Sequence, residues 1–208
     1  MKKLTFFVFG LLMAVQVSAE NTMSDLFAGK AKVVYLGLDF TQAKYIGRAG
    51  FMDAEAIKNQ HMASWNNLIE FEPKKFSLQK PLKLRDDQYV AKVADMLQYN
   101  KSANVADNII DGEYSINEAD VKKSVSKYSL SEKDGIGVVY VVESLSKTAE
   151  RMAVWVTFID LATKKVLYTE RLEGKAGGFG FRNYWAGAVY KISDAIDSKY
   201  KQWSKTLK

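Results

Sequence analysis

Residues 136–145, which read IGVVYVVESL, are nearly continuous in β-branched and aromatic side chains. Such residues favour strands, and an apolar run without polar alternation is typical of a strand that is buried on both faces. A turn signal, Asp134-Gly135, comes directly before the run. We therefore predict that this segment is the central strand of a sheet.

Two further strands and a helix are predicted after this segment. Residues 152–160 place apolar side chains on both faces, whereas residues 166–172 are half polar, as in an edge or half-solvated strand. The connections are short, which predicts an antiparallel three-stranded meander. A final helix is indicated by an apolar stripe at helical spacing, formed by Trp185, Val189, Ile192, Ile196, Tyr200 and Trp203.

The first half of the chain is less regular. Apolar residues 31–40 predict a strand well inside the sheet. A long crossover connects this strand to the later strands of the sheet. Pro73 and Pro81 limit the segment around them to a short edge element. Helical spacing predicts three helices, over residues 53–69, 86–97 and 115–128. The last of these begins with Ser115 as its cap and Glu118 reaching back to it.

Together these elements predict an α+β fold, a mixed-sheet α/β sandwich with helices packed on a sheet of about four to five strands. Residues 20–208 are enough for one domain with its own hydrophobic core. We therefore expect a single α+β domain.

The first 19 residues have the pattern of a signal peptide. Lys2 and Lys3 precede an apolar run, and Val17-Ser18-Ala19 ends in the small residues that a signal peptidase requires. The sequence contains no cysteine, which excludes a lipidated cysteine and a disulfide framework. We predict cleavage after Ala19, export to the periplasm or the medium, and no membrane span.

The charge of the chain is mildly basic. The formal charge of +6 falls to +4 when Lys2 and Lys3 leave with the signal peptide. The remaining lysines are scattered among acidic residues, which indicates a solvated surface and not a nucleic-acid footprint. Nucleic acid is therefore not an expected partner of an exported protein with this pattern.

The segment 174–185, GKAGGFGFRNYW, is the strongest candidate for a binding site. Its glycines permit unusual backbone conformations, and aromatic residues with arginine are enriched at binding hot spots. We predict a contact surface for an envelope protein or a glycan. Two alternatives remain: a packed connection between strand and helix, and a small-molecule or anion site at the helix start. The candidate residues are Lys175, Gly177, Gly178, Phe179, Phe181, Arg182, Tyr184 and Trp185.

Catalytic chemistry finds little support in the sequence. His61 is the only histidine and lies on an apolar helical face, so we predict a buried, hydrogen-bonded histidine and no metal or cofactor. Asp39 and Asp160 each end a predicted strand, and a carboxylate-dependent hydrolase is a third hypothesis if those ends are neighbours. The expectation is a protein that is not an enzyme.

The C-terminal third also carries a resemblance. Residues 135–191, from GIGVVYVVESLSK to RNYWAGAVYK, resemble a family of small exported proteins of unknown function from Gram-negative bacteria. More remotely, the order of elements is similar to the TolB N-terminal domain, to the curli-secretion lipoproteins and to the lipoprotein activators of peptidoglycan synthases. The shared patterns are Phe158-Ile159-Asp160 and Val166-Leu167-Tyr168, although the lipobox cysteine is absent. The resemblance implies a role in envelope assembly or protein–protein contact.

Overall fold

The computed structural model describes residues 20–207, so the predicted signal peptide lies outside the described residues. Within them, seven strands form one mixed sheet. The strands are β1 Val33–Asp39, β2 Lys44–Ile46, β3 Tyr89–Ala91, β4 Ile109–Ile110, β5 Ile136–Ser146, β6 Arg151–Asp160 and β7 Val166–Lys175. The α+β class is confirmed, and β5 is the central strand that its apolar run predicts.

The sheet is five strands wide although it has seven strands. β1 and β2 lie one after the other along the same edge of β5, both parallel to it. β3 continues the sheet beside β1, and β4 continues it beside β2. The predicted count of four to five strands was therefore wrong, because two positions across the sheet are each filled by two short strands.

The C-terminal meander is confirmed. β6 pairs antiparallel with β5 along its whole length, from Ile136 opposite Asp160 to Ser146 opposite Arg151. β7 pairs antiparallel with β6 and forms an edge of the sheet. The β5–β6 register shifts between Val142 and Ser144, so Glu143 is the extra residue of a β-bulge.

Helices cover both faces of the sheet. Those of the first half are α1 Met23–Phe27, α2 Ala54–Ala56, α3 Met62–Phe71, α4 Pro73–Phe76, α5 Ala94–Tyr99 and α6 Glu118–Ser126. A π-helical turn, Ile57–His61, joins α2 to α3. The last and longest helix is α7, Phe181–Thr206. No helix in residues 20–207 has the length and apolar content to cross a membrane.

Two apolar clusters hold these layers together. On one face α3 and α7 pack against side chains such as Tyr35 and Tyr140. On the other face α6 packs against Val139 and Val141 through Val121 and other apolar residues. The predicted stripe of α7 is buried in the first cluster, with Tyr200 only partly buried at its edge. The sandwich follows from the central strands, which are apolar on both sides.

Three predictions for the first half were wrong. The predicted helix over residues 86–97 is instead a 3-10 turn, strand β3 and the short α5, because Val90 and its neighbours pair with β1. The proline segment begins with helix α4, with Pro73 at its first position, where the missing N–H costs nothing. The cap of α6 is Asn117, paired reciprocally with Asp120, and not Ser115.

Candidate functional site

The candidate segment forms the connection between β7 and α7. Its turn is closed by backbone hydrogen bonds, from the N–H of Gly177 to the carbonyl of Tyr184 and from the N–H of Tyr184 to the carbonyl of Gly180, both 2.9 Å. Gly178 and Gly180 have φ values of 130° and 80°, which side chains other than glycine rarely adopt. The glycines therefore shape a tight turn that leads directly into the helix.

The aromatic residues of the turn divide into two groups. Trp185 is fully buried and stacks on Phe51, with ring centroids 5.5 Å apart. The ring of Phe181 packs against Phe51 and Trp65, each at 6.0 Å. In contrast, the side chain of Phe179 is 96% exposed. The packed-connection alternative thus describes Trp185 and Phe181, and the contact-surface prediction keeps Phe179.

A hollow of about 280 Å³ opens at the turn, and the two residues that flank Phe179 in the chain are part of its lining. It is lined by Gly50, Lys147, Gly178, Gly180, Phe181, Tyr184 and Trp185. Met52, which is 87% exposed, comes two residues after Gly50 of this lining. We call Met52, Phe179 and this hollow the Phe179 surface. Exposed large apolar side chains beside a hollow are typical of interaction sites.

Two of the residues that line the hollow, Tyr184 and Trp185, carry polar atoms that are themselves buried. The indole Nε1 of Trp185 and the hydroxyl of Tyr184 are buried without a hydrogen-bond partner in residues 20–207. The ammonium group of Lys147 lies 3.9 Å from the centroid of the Tyr184 ring.

Arg182 and Lys175 do not join this hollow. The guanidinium of Arg182 bonds to Ser64 and Asn183, and the carbonyl of Arg182 accepts a hydrogen bond from Trp65 Nε1 at 2.9 Å. Arg182 therefore anchors the start of α7 to α3 and is not an open fork of donors. Lys175 lines a separate hollow with Glu173 and other residues of the meander.

His61 differs from its prediction. It is half-buried, and its ring contacts are aromatic, 4.8 Å from Phe181 and 5.7 Å from Trp65 by ring centroids. Burial lowers the pKa of its imidazole, and the nearby charge of Arg182 lowers it further, against an opposing effect of Asp53. In residues 20–207 there is no group of three or more His, Cys, Asp or Glu side chains that could hold a metal ion.

Asp39 and Asp160 lie apart along the central strand, Asp39 beside its middle and Asp160 beside its first residue. Asp39 pairs with Val141 of β5, whereas Asp160 pairs with Ile136, an offset of about 16 Å along the strand at 3.3 Å per residue. Asp39 accepts hydrogen bonds from Ser124 and Tyr128. The condition for a shared carboxylate cleft, neighbouring strand ends, is therefore not met.

The sequence patterns did not predict the role of one buried charged residue, Glu143. Glu143 lies within the apolar run of β5 and its side chain is fully buried, yet it forms an ion pair of 2.8 Å with Arg171. The signal was present, because a carboxylate within a strand that is buried on both faces requires partners. Its partners come from distant parts of the chain, so the sequence did not identify them.

The comparisons with known proteins leave the family of this mixed α+β protein unassigned. No protein-family model matches the chain, and no curated protein does. A similar solved structure is that of Lipoprotein GNA1162 from Neisseria meningitidis, with 10% sequence identity and a TM-score of 0.34. The match covers 86% of this chain and 99% of that chain. The resemblance to envelope families therefore stays a prediction.

Proposed function

We propose that this protein is an exported, non-enzymatic binding module of the cell envelope that contacts a protein partner through the Phe179 surface. The observation that carries the proposal is the exposure of Phe179, at 96%, on a turn that is otherwise fixed by buried rings. A rigid turn that presents an aromatic side chain loses little entropy on binding. Burying such a side chain contributes about 1.5–3 kcal/mol.

The hollow indicates the chemistry of the partner. Its walls include Phe181 and Trp185, which suit an apolar side chain. The cation of Lys147, which also lines the hollow, suits an oxygen acceptor, best a carboxylate. The expected partner is therefore a peptide segment with an apolar side chain next to an acidic group.

Export and the absence of catalysis are parts of the same proposal. The signal-peptide pattern of residues 1–19 supports an envelope or secreted location. The non-enzymatic role is supported by the separation of Asp39 from Asp160 and by the aromatic surroundings of His61. A catalytic site would need such groups to converge on one point.

Photo-crosslinking tests this proposal. Benzoylphenylalanine is placed at position 179 and, as a matched control, at Phe71, which is also exposed, at 77%. In an envelope extract of the source cells, we expect a discrete protein adduct from position 179 only. Unlabelled wild-type protein should compete for that adduct, and the Phe179→Ser variant should not. Equal adducts from both positions, or none that compete, would contradict the proposal.

A second candidate is a free small anion in the same hollow. It is favoured by the start of α7, where the cap residue Gly180 makes no side-chain hydrogen bond to the exposed helix N–H groups. Benzoate, an apolar ring with a carboxylate, is a suitable probe. A shift of the Trp185 indole N–H signal by benzoate, without any competed adduct at position 179, would favour this candidate over a protein partner.

A further inference from the structure

An ion pair between the buried Glu143 and the partly exposed Arg171 lies on the opposite face of the meander from α7. Both oxygens of Glu143 are fully used: Oε1 accepts from Nε and Nη2 of Arg171 at 3.0 and 2.8 Å. Oε2 accepts from the backbone N–H of Ile116 at 3.2 Å and from Trp155 Nε1 at 3.1 Å. These bonds compensate the burial of the carboxylate and fix the orientation of the Arg171 guanidinium.

The charged network continues towards the surface. Nη1 of Arg171 donates to Glu173 at 2.8 Å, and Nη1 of Arg151 donates to the other oxygen of Glu173 at 2.9 Å. The side chains become more exposed along this path, from 0% for Glu143 to 38% for Arg171 and 53% for Arg151. A row of alternating charges is thus held in place from the protein interior.

This row borders a groove on the sheet face that α6 leaves open. The groove has a volume of about 400 Å³, and its polar lining includes Tyr114, Ser115, Ser144, Arg151, Arg171 and Glu173. A second hollow of about 400 Å³ shares Arg151 and Glu173 with it and extends to Lys175. The two hollows adjoin at Arg151 and Glu173, and both polar and apolar atoms line them.

We propose that this groove binds an oligosaccharide. Sugar hydroxyls both donate and accept, and the groove presents serine hydroxyls, guanidinium donors and a carboxylate acceptor side by side. Charges of both signs alternate, which disfavours a ligand of strong single charge. Tyr114, half-buried in the lining, adds an aromatic ring, with the ammonium of Lys44 5.6 Å from its centroid. Because the two hollows adjoin, together they offer room for more than one linked ring.

Glu143 itself is not available as a catalytic carboxylate. The carboxylate of Glu143 has no free position for a water or a glycosidic oxygen, because each of its oxygens already accepts two hydrogen bonds. This inference does not depend on the Phe179 surface, whose hollow shares no lining residue with either part of the groove.

The test is a titration of the protein, residues 20–208, with chitotetraose and separately with maltotetraose. Binding is monitored through the chemical shifts of the backbone amides in NMR spectra. We expect shifts at Tyr114, Ser115 and Ser144 with at least one of them. Arg151→Ser should weaken that binding about tenfold, as for the loss of one charge-assisted hydrogen bond. The matched control is Arg85→Ser, because Arg85 is similarly exposed, at 63%, and pairs with Asp87.

Three results would overturn the inference. The first is the absence of any shift at millimolar concentrations of both sugars. The second is binding that Arg151→Ser leaves unchanged while the spectrum shows a folded protein. The third is a response of the groove to inorganic phosphate alone, which would identify an anion site in place of a glycan site.

Discussion

The indole ring of Trp185 stacks on the ring of Phe51, with centroids 5.5 Å apart and 21° between the planes. This contact joins the first turn of α7 to the loop that precedes α2, and it fixes the turn on which Phe179 stands. The packed and exposed aromatic residues of the segment therefore have separate roles. Trp185 determines where the turn lies, and Phe179 is free to contact a partner.

The first prediction separates these roles by stability. Trp185→Ala should lower the free energy of unfolding by about 3–5 kcal/mol, because it removes a fully buried ring and leaves a cavity. Phe179→Ser should change it by less than about 0.5 kcal/mol, since that side chain is exposed. Urea unfolding measures both. A large loss for Phe179→Ser would show that this ring packs in solution and would remove the proposed surface.

The second prediction concerns hydrogen exchange in the turn. The amides of Gly177 and Tyr184 donate to backbone carbonyls and should exchange slowly. Gly178, Phe179 and Gly180 are exposed, and we expect fast exchange there in the free protein. Mass spectrometry of peptides over residues 174–185 resolves the difference. Uniform protection of the whole segment in the monomer would support a packed connection only.

The sequence predicts those parts of the fold whose pattern is local. The apolar run of β5 and the stripe of α7 are long, so burial decides them and both are confirmed. β3 has three residues and exists because β1 lies beside it, which no local pattern of Tyr89–Ala91 encodes. Helical propensity over that segment was overridden by tertiary pairing.

The candidate site shows the same limit. Phe179 and Phe181 both follow a glycine and are two residues apart, yet one is exposed and the other packs. The difference arises from Phe51, which is distant in the sequence and meets only Phe181. Similarly, the bulge that buries Glu143 depends on register with β6. Composition therefore singled out the segment 174–185 as a candidate but did not identify which ring is exposed.

The third prediction is a pH dependence of stability from His61. Burial lowers the pKa of its imidazole, so the folded state binds a proton less readily than the unfolded state. Stability should therefore fall as pH decreases below the unfolded pKa of about 6.5. Below the folded pKa this loss is complete and the effect levels off.

A matched variant isolates that effect. His61→Phe keeps an aromatic ring against Trp65 and Phe181 but cannot titrate. The difference in unfolding free energy between wild type and variant should shift against the wild type between about pH 7.5 and 5. Carboxylates with lowered pKa values, such as Glu173, titrate at lower pH and cancel in the difference. A difference that is constant over this range would contradict the assigned environment of His61.

The fourth prediction concerns Gly187, in the first turns of α7. Helix propensity alone predicts that Gly187→Ala stabilises by about 1 kcal/mol. The structure predicts the opposite, because a Cβ at Gly187 would overlap the backbone carbonyl of Gly177. Overpacking against backbone costs about 1–3 kcal/mol, so we expect net destabilisation and displacement of the turn that carries Phe179.

Ser198→Ala, at an exposed position of the same helix, is the control and should stabilise slightly. Urea unfolding of both variants checks the sign. Stabilisation by Gly187→Ala would mean that α7 and the turn are not in close contact, and the rigid presentation of Phe179 would lose its structural basis.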